Sequence, residues 1–271
     1  MPELPEVETT RRGTAPHVRG RVIEAVTVRN RQLRWPVPRG LAKTLIGQRI
    51  RDVDRRGKYL LFRLDEGTLI LHLGMSGSLR IVAAGTAHEK HDHVDIDFDN
   101  RICLRFRDPR RFGSIHYTRE DPCRHPLLAS LGPEPLDDGF DGEYLHARSR
   151  NRKQAVKTFL MDSRVVTGVG NIYASEALFL AGIHPKRPAG RISLQRYRAL
   201  ADAAKLVLTL AIEKGGTTLR DFTSGEGNPG YFRQELNVYD RESEDCRLCG
   251  STVRQMRIGQ RSSYYCSRCQ T

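Results

Sequence analysis

The sequence predicts an α+β protein laid out in order as strands, helices and a small metal-bound hairpin. Three observations predict it. Short runs of alternating apolar residues recur over residues 22–117, the signature of half-buried antiparallel strands. Helical periodicity replaces them beyond a Gly/Pro-rich stretch at 131–136. Four of the six cysteines fall in the last 26 residues as two Cys-x2-Cys pairs, a metal-ligand spacing.

Each element can be argued in turn. Pro5 suits the first position of a helix, and Glu6 and Glu8 suit its first turn, so a helix is expected from Pro5 to about Gly13. The runs VIEAVTVRN, YLLFRL, TLILHLGM, LRIVA, HVDIDFD, ICLRFRD and SIHYT then read as strands, with DEG, SGS and DN as turns. Together they make an antiparallel sandwich or barrel. LGPEPL reads as a linker. EYLHARSR, RKQAVKTFLMD, IYASEALFLAG and the long LQRYRALADAAKLVLTLAIEKG read as helices, the last stopped by Gly215-Gly216. TSGEGNPGYF at 223–232 is polar and Gly-rich, as expected of a connector or a lid loop. The expected boundaries are 2–131, 132–235 and 236–271.

Composition narrows the partner. The formal net charge is +13, with an arginine-rich excess in RRG (11–13), RRG (55–57) and PRRF (109–112). Such a surface attracts polyanions, and arginine matches phosphate in a bidentate fork. Nucleic acid is therefore expected, and no membrane. No apolar run approaches the ~20 residues of a spanning helix. MPELPEVETT has no secretory character, so a reducing, cytoplasmic compartment is expected. Clustered cysteines there bind metal in preference to forming disulfides.

Cys246, Cys249, Cys266 and Cys269, with a 16-residue gap between the pairs, can surround one tetrahedral Zn²⁺. The gap alternates enough for a β-hairpin. So small a module buries little core, so zinc supplies its folding free energy. A full set of four thiolates leaves no open position, so this zinc is structural. Arg254, Arg257, Arg261 and Arg268 make the hairpin basic. Cys103 lies in an alternating apolar run and reads as a core thiol; Cys123 receives no role.

The opening Met1-Pro2-Glu3-Leu4-Pro5-Glu6 has two readings. One is an acidic helix start. The other is chemical. Removal of Met1 exposes a secondary amine with a reference pKa near ~8, partly neutral at pH 7 and able to attack a sugar carbon. Glu3 and Glu6 would stand beside it as acid and orienting groups.

Further motifs accompany that opening. PELPEVETTRRG, GKYLL (57–61), HLGMSGSLR (72–80), KHDHVD (90–95), DPRRFG (108–113), GVGNIYASEALF (168–179), GGTTLRDF (215–222), PGYF (229–232) and the closing cysteines recur in one order. Together they resemble the formamidopyrimidine-DNA glycosylase family, from Pro2 to Gln270. The resemblance implies an N-terminal β-sandwich with flanking helices, a helix–two-turn–helix domain and a zinc finger. It implies a monomer acting on damaged double-stranded DNA. It makes Pro2 the nucleophile at C1′, Glu3 the acid on the sugar ring and Glu6 a further active-site carboxylate. Lys58 becomes the β-elimination proton donor, and Arg261 the δ-elimination and phosphate residue. Arginine does not deprotonate at neutral pH, so an electrostatic clamp suits Arg261 better than a proton donor.

Duplex bases are stacked, so a glycosylase must extrude its target and fill the void. Met75, Arg110 and Phe112 match the void-filling residues. His72, His91, Arg152 and Asn171 match DNA contacts, with Asn171 opening a helix after a Gly-rich turn. The family often has lysine before PGYF, where this chain has Asn228, which removes any base contact by that side chain.

The implied function is a bifunctional glycosylase/AP lyase for oxidised purines. One rival is the related endonuclease VIII type, which takes oxidised pyrimidines; the LPEVE opening and PRRFG favour the purine enzyme. The other rival is a non-enzymatic DNA-binding zinc protein, which charge and zinc alone fit equally well.

Overall fold

The computed structural model describes residues 2–216 and 235–271. Their contacts divide them into two compact units, 2–129 with 214–216, and 130–213 with 235–271. The expected loop at 223–232, with Asn228, lies outside the described residues.

In the first unit, α1 spans Leu4–Val18. It runs five residues past Gly13, the end the sequence suggests, and contains Pro16. Gly costs about 1 kcal/mol in a helix. Burial of Val7 and Val18 in the sandwich core offsets that. One four-stranded antiparallel sheet has the order β1 (Ile23–Val28), β6 (Asp92–Phe98), β7 (Ile102–Arg107), β5 (Ser78–Ala83). The other has the order β2 (Asp52–Arg56), β3 (Tyr59–Arg63), β4 (Thr68–His72), β8 (Ser114–Thr118). Ile23, Leu79, Ile96, Phe98 and Phe106 of the first sheet share one apolar core with Val53, Leu60, Phe62, Leu71 and Ile115 of the second. Two sheets facing across a core make a sandwich, not a barrel. Cys103 is buried, and burial pushes its thiol pKa up, as a core thiol requires.

Two elements are not in the sequence reading. A short helix, α2, covers Leu41–Leu45. The strand β2 reads DVDRR, with a single core side chain, Val53. Its charges are satisfied laterally: Asp54 accepts Arg63 Nε at 2.8 Å, and Arg55 Nε donates to Glu8 at 3.2 Å.

The second unit is helical, with α3 (Gly142–Ser149), α4 (Val156–Leu160), α5 (Asn171–Leu180) and α6 (Leu194–Glu213). Asp141 caps α3 by accepting Tyr144 N–H at 2.7 Å. Tyr197, Leu200, Ala204, Leu208 and Ala211 give α6 a buried stripe at helical spacing. Gly215 and Gly216, just past α6, have φ of +73° and +82°, the left-handed stop expected of them. Of the RKQAVKTFLMD run only the five residues of α4 are helical. LGPEPL is not a free linker. Gly132 N–H donates to Ser163 at 2.8 Å, and Thr167 N–H donates to Pro133 at 3.1 Å. A Cβ on Gly132 would lie 2.6 Å from Val165 O. The unit ends in an antiparallel hairpin of β9 (Val253–Ile258) and β10 (Arg261–Cys266).

Candidate active site and zinc centre

The N-terminal residues are placed by a helix cap. Glu3 is the N-cap of α1, Glu6 is its N3 residue, and the Glu6 carboxylate accepts Glu3 N–H at 2.8 Å in a capping box. Pro2, Glu3 and Glu6 are all buried. The acidic helix start and the chemical reading therefore use the same side chains. The cap fixes the peptide that carries Pro2, with one Glu6 oxygen committed to the backbone. Gly216 lies against Glu6: a Cβ there would come within 3.0 Å of Oε1. Helix α1 is itself tied to the sheet. Glu8 accepts Arg11, Arg12 and Arg55, and Arg11 also reaches Val53 O at 3.1 Å. Burial alone would raise the Glu8 carboxyl pKa; these guanidinium bonds hold it below the usual value.

Lys58 sits in the two-residue turn between β2 and β3, after Gly57 with φ +57°. A type II′ hairpin reserves that position for glycine. Across the ladder Tyr59 pairs with His72, and their rings lie 4.7 Å apart. His72 Nδ1 accepts Gly74 N–H at 3.0 Å, which leaves Nε2 to carry the proton of the neutral ring. Burial, with the Lys58 and Arg34 charges nearby, pushes the His72 pKa down to about 4. Lys58, Tyr59, His72 and Arg34 thus form one electrostatic neighbourhood. Arg34 is absent from the sequence reading because it lies in a segment, RQLRWP, with no periodicity.

Met75, Arg110 and Phe112 lie on two loops of the same unit, after β4 and after β7. Phe112 is exposed, and the Arg110 guanidinium lies 5.0 Å from its ring centre. His91 and His93 do not form a metal pair. His93 is buried and its Nε2 bonds the Asp108 carbonyl at 2.8 Å, a structural role.

In the second unit Asn171 opens α5 after Gly168, with φ +83°, and Gly170. Its Nδ2 donates to Ser262 O at 3.0 Å, and its buried Oδ1 has no partner among the described residues. Lys157, itself fully buried, donates to the same Ser262 O at 3.1 Å and to Ser263 Oγ at 2.8 Å. Ser262 follows Arg261, so two side chains from α4 and α5 anchor the backbone beside that arginine. The β9–β10 turn carries φ of +52° at Gly259 and +62° at Gln260, a type I′ arrangement. A Cβ on Gly259 would meet Thr158 at 2.9 Å. Arg261 is exposed at the turn. Arg152 is exposed and lines an open hollow of about 520 Å³ with Lys153 and Arg191.

The four cysteines converge. Their Sγ atoms all lie within 4.8 Å of one another. Cys249–Cys266 are 3.5 Å apart and Cys246–Cys269 3.8 Å, far beyond a ~2.05 Å disulfide. A tetrahedron of ~2.3 Å Zn–S bonds has edges near 3.8 Å, so the donor set fits one zinc ion. Glu176 of α5 is buried and accepts the backbone N–H groups of Asn237, Val238 and Tyr239 at 2.8–2.9 Å. It pins the segment that leads into the zinc module.

The chain thus combines a β-sandwich, with Pro2 just ahead of the capped start of α1, and a helical unit closing in a four-thiolate hairpin suited to zinc. Family models match in register with these parts. The formamidopyrimidine-DNA glycosylase N-terminal domain matches residues 1–115, the H2TH domain 131–223, and the zinc finger found in FPG and IleRS 243–271. The chain is 64% identical over 270 residues to the formamidopyrimidine-DNA glycosylase of Methylococcus capsulatus, with 100% of each chain covered. It superposes with a TM-score of 0.93 and 32% identity on a Lactococcus lactis FPG mutant bound to Fapy-dG DNA, covering 100% of both chains. The wild-type Lactococcus lactis protein bound to oxidised-pyrimidine DNA gives 0.92 at 32% identity, again covering 100% of both. The chain belongs to the formamidopyrimidine-DNA glycosylase family. Among the described residues no helix is long and apolar enough to cross a membrane.

Proposed function

We propose that this DNA glycosylase of oxidised-base repair removes 8-oxoguanine and formamidopyrimidines through an imine on Pro2. It then nicks the abasic site by β,δ-elimination. The observation that carries the reading is the buried capping box that holds the Pro2–Glu3 peptide at the head of α1. Once Met1 is removed, the Pro2 amine attacks C1′ and the base departs with the C1′–N bond pair. Glu3 protonates the ring oxygen as C1′–O breaks, giving the open-chain iminium. Loss of a C2′ proton then expels the 3′ phosphate, with Lys58 as proton donor, and a second elimination expels the 5′ phosphate. A cationic Lys58 near the amine would also favour its neutral form.

Contacts to DNA follow the same logic. Neutral His72 offers Nε2–H to a phosphate without the cost of burying a charge. Arg152, beside Lys153 and Arg191, and the N-terminus of α5 at Asn171 supply further phosphate sites. His91 is a DNA contact next to the loop of Arg110. Arg261 clamps phosphate during the second elimination. Zinc, when bound by the four cysteines, supplies folding free energy to the hairpin that presents Arg261. The enzyme acts as a cytoplasmic monomer on duplex DNA.

A panel of duplexes, each with one lesion, tests the reading. Faster excision of 8-oxoguanine than of thymine glycol is expected, with phosphate left on both sides of the gap. The reverse ranking would make the chain an enzyme of endonuclease VIII specificity. The Lactococcus lactis relative has been crystallised with an oxidised pyrimidine, so relative rate, not binding, is the criterion.

A further inference from the structure

We infer that Asp108 is a positioning residue that locks Met75, Arg110 and Phe112 into one preformed wedge. The inference rests on the functional reading above and adds a residue to it. Asp108 is 0% exposed, yet its carboxylate lies between the two loops that carry these side chains. Oδ1 accepts Ser76 Oγ at 2.9 Å, from the residue next to Met75, and Arg110 N–H at 3.3 Å. Oδ2 accepts Gly113 N–H at 2.7 Å, from the residue next to Phe112. Arg110 N–H also reaches Ser76 Oγ, at 3.2 Å.

The backbone of Asp108 is fixed as well. Its N–H donates to His91 O at 3.0 Å, and its carbonyl takes the His93 Nε2 bond. Arg111 N–H closes the turn onto that carbonyl at 3.2 Å. Arg111 itself holds φ +56°, a left-handed conformation that a non-glycine residue keeps only when its surroundings impose it. The loops also touch directly. A Cβ on Gly74 would lie 2.4 Å from Gly113 N and from Phe112 C.

A buried carboxylate is costly unless its oxygens are satisfied. Here two backbone donors of its own loop and the Ser76 hydroxyl of the other loop satisfy it, so separating the loops would strip Oδ1 of its Ser76 bond. The consequence is functional. A wedge inserts where a base has left the stack, and preorganisation lowers the entropy lost on insertion. Three side chains held as one body insert together.

Asp108→Asn keeps the shape and removes the charge, turning one acceptor into a donor that faces Gly113 N–H or Ser76. Single-turnover excision is compared on two substrates. One is a duplex with 8-oxoguanine opposite cytosine; the other is a single strand with a preformed abasic site, where no stacked partner has to be replaced. The variant is expected to lose ~10²-fold on the duplex, the scale of a positioning error of about 1 Å, and under about threefold on the single strand. Ser76→Ala, which removes one of the three bonds, should show the same pattern at about a tenth of the size. The effect of Asp108→Asn should also vanish in a Phe112→Ala background, because the residue acts through the wedge. Equal losses on both substrates, additivity with Phe112→Ala, or no loss at all would overturn the inference and leave the enzyme reading standing. Failure of the unaltered protein on both substrates would sink the enzyme reading and this inference with it.

Discussion

The sandwich of the first unit and the hairpin of the second hold their proposed reactive groups by different means. Around the sandwich, apolar side chains from eight strands and α1 share one continuous core, and Pro2 rides on a helix whose first turn is capped by Glu3 and Glu6. The hairpin's cluster is small: Phe179, Val238, Val253 and Tyr264, together with the thiols of Cys246 and Cys266. Arg261 is held there by thiolates and by buried polar anchors, Lys157 and Asn171 on Ser262 O. A large core can fix a functional backbone through packing alone. A small one has to use directional bonds and metal coordination.

The contrast can be broken from either side. Removing zinc, or replacing Cys266 with alanine, takes away on the order of 10 kcal/mol from a module of this kind. Hydrogen exchange should then show β9–β10 amides unprotected, with β3–β4 amides unchanged and DNA affinity lost. Truncating the sandwich core has the opposite reach. Phe62→Ala should cost about 3–5 kcal/mol by denaturant titration and lower the protection of the whole first unit.

A finer cut separates position from stability. Lys157→Met leaves Ser263 Oγ without its lysine donor and Ser262 O with the Asn171 bond alone, at a cost of about 1–3 kcal/mol. The expected signature is in the products: the first elimination persists while the second slows, so 3′ unsaturated sugar accumulates on sequencing gels. Unchanged product ratios would detach Lys157 from Arg261.

The smallest effect is on pH. His72 has a folded pKa of about 4, against ~6.5 in the unfolded chain. Between these values the unfolded state binds the proton and the fold does not, so stability rises with pH. The contribution is complete above about pH 6.5 and is lost as pH falls toward 4. NMR of the His72 ring should show a midpoint near 4, and His72→Gln should flatten stability across that window.

How far the sequence carries depends on where the signal resides. Alternation gave seven of the strands because each has several apolar side chains facing one core. Strand β2 escaped because DVDRR buries Val53 and satisfies its charges with residues on α1 and β3. Gly13 marked a helix end that the structure does not use, since tertiary burial of Val18 outweighs local propensity. LGPEPL looked like a linker because Gly and Pro also serve tight backbone packing, as Gly132 does against Val165. At the site, the four cysteines were legible from spacing alone. The roles proposed for Pro2, Glu3 and Lys58 rest on the resemblance, because a helix start and a turn lysine carry no chemistry by themselves. Asp108 and Arg34 were not legible: the partners that tie them to the rest of the site, Ser76 and His93 for Asp108 and His72 for Arg34, are brought near by the fold from segments distant in sequence.

The central claim is that the Pro2 amine is the nucleophile, and borohydride trapping tests it most directly. Protein freed of Met1, mixed with an 8-oxoguanine duplex and borohydride, should give a stable protein–DNA adduct whose peptide map places the sugar on Pro2. The same protein with an uncleaved N-terminal extension should give none. An equal yield from the blocked protein, or an adduct mapped to Lys58, would contradict the account.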